Sequence, residues 1–257
     1  MPEPHLSFVI PARNEEALIG EVVEAVLASV ARAAGVARDA LWLPDTACEV
    51  VVADDGSEDA TAAIVGRFAE AAGVRLVPCV GGTCAAARNA GAAASAGRVL
   101  CFVDADTVVP ARAAERILQL HEAEGRCLVL YRLASREPGV RAWLWWSFWG
   151  LARRLPLARA KSMPAFMSCD RAHFERYGPF EESWVIAEEW PLTAAAYRYH
   201  PEGFFYDRSL TARTSSRRME LQPFGYVRTF LKWVSVVLFA WARTDAYDRI
   251  RHAAGDR

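Results

Sequence analysis

The chain has 257 residues, 53% of them apolar, and a formal net charge of −1. That length suits one large domain, or a domain with an elaborated second half, and leaves enough apolar side chains to close a sizeable core. A charge so near balance argues against nucleic acid as a partner. Six cysteines without a C-x-x-C pair, and five histidines without ligand spacing, read as buried thiols and ordinary side chains rather than disulfides or a thiolate metal site.

Met1 to His5 leads directly into an apolar run with no charged region, long apolar stretch or cleavage site, so a cytoplasmic location is expected. Short apolar runs then alternate with helical patterns, the mark of a parallel α/β sheet. Strands are expected at 6–10, 49–53, 74–79 and 99–103, separated by helices at about 15–34, 58–72 and 84–96. A helix at about 110–124 and a strand at 127–131 follow. Residues 141–161 differ in texture, with Trp143, Trp145, Trp146 and Trp149 running into Arg153, Arg154, Arg159 and Lys161. Beyond them a short strand at 165–169, a helix at 170–177, a turn at 178–182 and a helix opening near Pro191 are expected. The last strong element, 224–243, is amphipathic and then very apolar. No repeat or linker divides the chain, so a single domain over 1–257 is expected.

Ligands of open parallel sheets collect at the carboxyl ends of the strands. Here the first strand runs into Pro11-Ala12-Arg13-Asn14-Glu15-Glu16, the second into Asp54-Asp55-Gly56-Ser57 and the fourth into Asp104-Ala105-Asp106. On a parallel sheet these segments share one edge, where crowded carboxylates repel one another unless a cation or donor groups compensate. Mg²⁺ or Mn²⁺ would do so, since these ions take hard oxygen ligands and leave positions open for phosphate oxygens. Asp-x-Asp alone is weak, because turns are full of aspartates. Its place after a buried strand strengthens it. Asp and Ser also cap helices and Gly suits a tight turn, which explains one acid of the Asp54-Asp55 pair. The other is read as an acceptor of hydrogen bonds from a nucleobase, by Asp55 with or without Asp54. The first turn lacks the glycines of a dinucleotide fingerprint, and no G-x-x-x-x-G-K-[ST] loop occurs.

Taken in order and spacing, Phe8 to Glu15, Asp54 to Ser57, Ala87-Arg88-Asn89-Ala90-Gly91 and Asp104 to Asp106 resemble the motifs of family 2 glycosyltransferases. Phe174 to Glu182 resembles the turn that precedes the family's catalytic carboxylate, and Glu188-Glu189 stands where the family usually has Glu-Asp. The resemblance extends from residue 6 to about 218. It implies a GT-A fold: a Rossmann-like, mostly parallel sheet flanked by helices, with an acceptor-side C-terminal half. Residues 1–109 would bind the nucleotide sugar, 110–222 would hold the acceptor and the base, and 223–257 would form an amphipathic helix and tail. By the same resemblance Pro11, Arg13 and Glu15 border the nucleoside, and Asp55, beside Asp54, reads a base that is most often uracil. Arg88 lies near the base or diphosphate, Asp104 meets the ribose or a metal through water, and Asp106 binds the metal. Glu189 is the base, with Glu188 as the alternative. Thr214-Ser215-Ser216-Arg217-Arg218 is a partial match to basic residues that meet the diphosphate or the acceptor.

The implied reaction is inverting transfer from a nucleoside-diphosphate sugar, UDP-linked by the resemblance, to an acceptor hydroxyl. Two other readings stay open. A sugar nucleotidyltransferase would show a glycine-rich basic loop after the first strand, and this chain does not. A non-catalytic nucleotide-sugar-binding or scaffold protein would have no use for intact Asp104, Asp106 and Glu189. Four of the nine tryptophans fall between Trp143 and Trp149, next to the basic stretch ending at Lys161, a combination that suits the headgroup region of a membrane. Residues 224–243 could add a contact through Phe230, Trp233, Val237 and Trp241. Arg228 and Lys232 interrupt this segment, and its uncharged run falls far short of the roughly 20 residues a spanning helix needs. This reading is a peripheral protein at the inner face of the membrane, with a lipid-linked acceptor. The other reading packs both segments on the sheet or along an acceptor groove.

Overall fold

The computed structural model describes residues 4–156, 161, 163–184 and 187–239. Its first half alternates β1 (Leu6–Ala12), α1 (Ile19–Ala34), β2 (Cys48–Asp54), α2 (Thr61–Ala72), β3 (Arg75–Pro78), α3 (Cys84–Ala94) and β4 (Val99–Val103). Then come β5 (Thr107–Val108), α4 (Ala113–Leu118), β6 (Leu128–Ser135), α5 (Val140–Ala152), β7 (Phe166–Asp170) and α6 (Arg171–Tyr177). The described chain closes with α7 (Trp190–Tyr199), β8 (Phe204–Thr214), α8 (Arg217–Glu220) and α9 (Gly225–Phe239).

One eight-stranded sheet runs through all of this in the order β3-β2-β1-β4-β7-β6-β8-β5. The β3-β2-β1-β4 portion is parallel throughout, as the alternating pattern predicts. Both of its faces are covered, which is why β4 reads as an unbroken apolar run and β1 as one interrupted only by Ser7. The side-chain period of two sorts them: Phe8 and Ile10 face α1, α2 and α4 in one core, while Val9 faces α3, α6 and α7 in the other. Beyond β4 the sheet turns mixed. β7 enters antiparallel between β4 and β6, and β6 runs parallel to β8 with a register shift at Tyr131/Arg132.

Several expected elements start or stop elsewhere for local reasons. Helix α1 begins at Ile19 rather than near 15 because residues 13–18 form a turn in which Asn14 takes a left-handed backbone, φ 52°. Asn is among the few residues that visit that region readily. Helix α2 begins at Thr61 because Asp59 accepts hydrogen bonds from the Thr61 N–H at 2.9 Å and its hydroxyl at 2.5 Å. The helix expected at 110–124 is divided into α4 and a π-turn over 119–123. No strand is expected at 204–214, and β8 forms there with a polar, unevenly buried sequence because it pairs on one side with only the two-residue β5. All six cysteines are free.

Candidate active site

The carboxyl ends of β1, β2 and β4 do meet along one edge, and the two acids after β2 divide their work. Asp54 accepts from the Ser57 hydroxyl at 2.5 Å and its N–H at 3.4 Å, closing the local turn. Asp55, only 5% exposed, accepts from the N–H groups of Gly81 and Gly82 at 2.9 and 3.0 Å and from Arg13 at 3.5 Å. Glycine is required at 81, where a Cβ would come within 2.2 Å of the Ala86 Cβ. The β1 turn is latched to the β2 turn by Asn14, whose side-chain oxygen accepts from the Glu58 N–H at 2.8 Å, and by the Glu15 N–H, which donates to Thr61 at 2.8 Å. Pro11 is buried within β1 opposite Ala53.

The motif at 87–91 is explained residue by residue. Arg88 is buried and reaches Asp104 at 2.6 Å with one arm and Glu188 at 2.7 Å with the other. Burial works against its charge, yet the surrounding anionic groups, Asp104 and Glu188 among them, hold its pKa well above the usual guanidinium value. Asn89 donates to the Phe180 carbonyl at 2.9 Å and to Glu182 at 2.8 Å, and accepts from the Phe180 N–H at 2.9 Å. It pins the 178–182 turn to α3. At Gly91 a Cβ would come 2.5 Å from a Val9 methyl, so α3 packs this closely on β1 only with glycine there.

Asp106 accepts from Thr107 at 3.3 Å and from Thr214 of β8 at 3.2 Å, and its carbonyl accepts from the Ser215 N–H at 3.3 Å. Two residues further on, Arg217 forms an ion pair with Glu15, which joins the end of β8 to the turn after β1. Glu137 fixes this crossing by accepting from the Ser216 N–H at 2.6 Å and the Ser215 hydroxyl at 2.7 Å. Partial burial raises the Glu137 pKa, and those donors outweigh it, leaving the carboxyl below its ordinary range. No group of three or more His, Cys, Asp or Glu that could hold a metal occurs among the described residues. Asp104 and Asp106 are two hard carboxylates on one strand end, a donor set that fits Mg²⁺ or Mn²⁺ completing its shell with diphosphate and water.

Glu188 and Glu189 lead into α7, Glu189 at its N-cap, directly after Ala187, whose backbone is left-handed at φ 65°. A non-glycine residue held there is strained, and such strain collects at functional sites. Glu188 turns toward Arg88, while Glu189 is fully buried in the field of Arg153. Arg153 is itself 5% exposed and hydrogen-bonds Tyr206; burial, partly offset by Tyr206 and Glu189, lowers its pKa to about 10. In the sequence this arginine looks like part of a solvated basic stretch. The available signal is periodicity: Trp145, Trp149 and Arg153 lie four residues apart, on one helical face.

The Trp-rich segment is divided between core and surface. Trp145 and Trp149 are buried on α5, Trp146 donates to the Ser216 hydroxyl at 3.1 Å, and Trp143 is 66% exposed. Lys161 is buried and donates to the carbonyls of Arg153 and Leu155. Helix α9 lies against α5 through Tyr226 on Trp145 and Phe230 on Phe148, with ring centroids 5.9 and 5.3 Å apart. No helix among the described residues is long and apolar enough to cross a membrane. Arg159, Trp241 and the side chains of Arg218, Trp233 and Val237 lie outside what is described.

Comparison with known proteins gives the chain a family and a fold. The sequence profile of Glycosyl transferase family 2 matches residues 7–182. Probable glycosyltransferase YdaM of Bacillus subtilis (strain 168) is 33% identical over 108 residues, which is 40% of this chain and 23% of that protein. This chain therefore matches less than a quarter of that curated relative's length. Among solved structures, residues 1–349 of S. aureus TarS superpose with a TM-score of 0.59 at 15% identity, covering 95% of this chain and 74% of that one. Glucosyl-3-phosphoglycerate synthase from Mycobacterium tuberculosis, in complex with Mn²⁺, UDP-glucose and phosphoglyceric acid, superposes with a TM-score of 0.58 at 20% identity, covering 92% and 79%. At these identities the likeness is one of fold, the GT-A sheet with its flanking helices.

Proposed function

Because the chain belongs to glycosyl transferase family 2, we propose that it moves a sugar from a UDP-linked donor to an acceptor hydroxyl, with inversion and with help from a divalent metal. One observation carries this reading. Arg88 ties Asp104, at the end of a donor-side strand, to Glu188, at the head of the helix that bears the candidate base. Residues far apart in sequence are thereby set around one space between the two halves.

Within that space Asp55 and Arg13 border the base and Glu15 with Arg217 the nucleoside and diphosphate, with Arg218 as a further cation. Pro11 shapes the floor. Glu189 takes the proton from the acceptor hydroxyl as that oxygen attacks the anomeric carbon, the work of a general base. The pairing of Glu188 with Arg88 at 2.7 Å supports this choice, since it gives Glu188 a positioning task of its own. When bound at Asp106 and Asp104, Mg²⁺ or Mn²⁺ supplies Lewis-acid neutralisation of the departing diphosphate. The Mn²⁺ and UDP-glucose bound by the structurally similar synthase support both the ion and the donor class. The apolar residues exposed on α5 and α9, among them Trp143, Leu144, Leu151, Val227 and Leu231, support peripheral contact with a membrane.

Turnover tests the reading against a non-catalytic binding protein. The full chain is incubated with Mn²⁺ and a panel of nucleotide sugars, and release of nucleoside diphosphate is followed. Slow hydrolysis of at least one UDP-sugar is expected. Tight UDP binding with no release from any donor would favour the binding-protein reading instead.

A further inference from the structure

A groove of about 480 Å³ lies between α5 and the β6–β8 pair. Arg132 of β6, Arg154 just beyond α5 and Arg208 of β8 line it, together with Trp143 and Tyr206. None of the three arginines has a carboxylate partner among the described residues. The carboxylate that also lines the wall, Glu137, is taken up by the Ser135 and Ser215 hydroxyls and the Ser216 N–H. Exposed arginines scattered over a surface need no ligand. These three are exposed as well, but they line one concavity whose carboxylate is already satisfied, so their positive charges converge on one place. Guanidinium forks match the oxygens of a phosphate in pairs.

The groove also has a defined place in the molecule. Its floor, Tyr206, is hydrogen-bonded to Arg153, in whose field Glu189 lies. Its rear wall includes Trp146 and Ser135, both bonded to Ser216, at 3.1 and 2.8 Å. Ser216 sits between Ser215, which donates to the Asp106 carbonyl, and Arg217, which pairs with Glu15. The groove is thus linked through Tyr206 and Arg153 to the candidate base, and through Ser216 to the donor edge.

We infer that this groove is the acceptor subsite and that the acceptor carries a phosphate ester, seated among Arg132, Arg154 and Arg208 with its adjoining ring or chain against Trp143. The inference rests on the glycosyltransferase reading above. A soluble phosphate and a lipid phosphate share this chemistry, and the exposed Leu144, Phe148 and Leu151 on the outer side of α5 could accommodate the hydrocarbon of the latter.

The test uses the full chain saturated with UDP and Mn²⁺, so that the donor site does not take up the probe. One arm titrates glycerol 1-phosphate, with glycerol as the neutral control. The other co-sediments the protein with phosphatidylcholine vesicles with and without phosphatidic acid. Phosphate-dependent binding is expected in at least one arm, weakened about tenfold or more by the pair Arg132→Ala and Arg208→Ala while UDP affinity is kept. Binding to the vesicles alone identifies a lipid phosphate, and binding to glycerol 1-phosphate alone a soluble one that dispenses with the membrane. A wild type that binds UDP but neither probe overturns the inference, as does phosphate binding untouched by the double substitution. Failure to bind UDP at all, with phosphate still bound through these arginines, would instead remove the glycosyltransferase reading and the acceptor role with it.

Discussion

The parallel half of the sheet and the segment from α5 to β8 present their chemistry in opposite ways. In the first, each group of functional residues is contiguous in sequence and stands at a strand end, so topology alone collects Arg13, Asp55, Asp104 and Asp106 on one edge. In the second, the surroundings of the candidate base are assembled from α5, β8 and the head of α7, elements far apart in the chain. A strand end is a position that sequence periodicity can locate. A side chain buried between three elements is not. Composition misleads in the second region, because tryptophans and arginines look alike whether they face solvent or core.

The sharpest way to break this comparison is at the base. Glu189→Gln keeps size and most hydrogen bonding but removes the proton acceptor, and transfer should fall by about a hundred- to ten-thousand-fold with UDP affinity intact. Equal loss in Glu188→Gln, with Glu189→Gln still active, would move the base to the residue paired with Arg88. A smaller effect is expected where the two regions are fastened together. Asn89→Ala removes three hydrogen bonds to the 180–182 turn. It should lower stability by about 1–3 kcal/mol in denaturant titration. It should also reduce kcat more than donor affinity, since the turn precedes the base-bearing helix. Unchanged stability and turnover would show that the turn is held by its other contacts.

Much of the fold was legible. The strands at 6–12, 48–54 and 99–103 are built on the apolar runs at 8–10, 50–53 and 99–103, and the helices between them end at glycines, Gly35 and Gly73, in left-handed caps. The antiparallel insertion of β7 was not, because a short apolar strand has no directional signature. β8 was missed because its polar side chains hide the pattern of an edge region. At the site, one acid after β2, Asp54, does serve the local backbone, but it closes the 54–57 turn rather than capping α2, which starts only at Thr61. The use of Asp55 to order the Gly81-Gly82 loop joins segments 26 residues apart and has no local signal. Arg153 carries only the four-residue spacing with Trp145 and Trp149, and its role emerges only when α5 is placed against Tyr206.

The most direct test of the donor-side assignment is calorimetry of UDP binding, with and without Mn²⁺, for the wild type and Asp106→Ala. The predicted result is UDP affinity that rises with Mn²⁺ in the wild type and loses that metal-dependent increment in Asp106→Ala, with folding retained. Metal-dependent binding preserved in the variant would contradict the assignment of the ion to the end of β4.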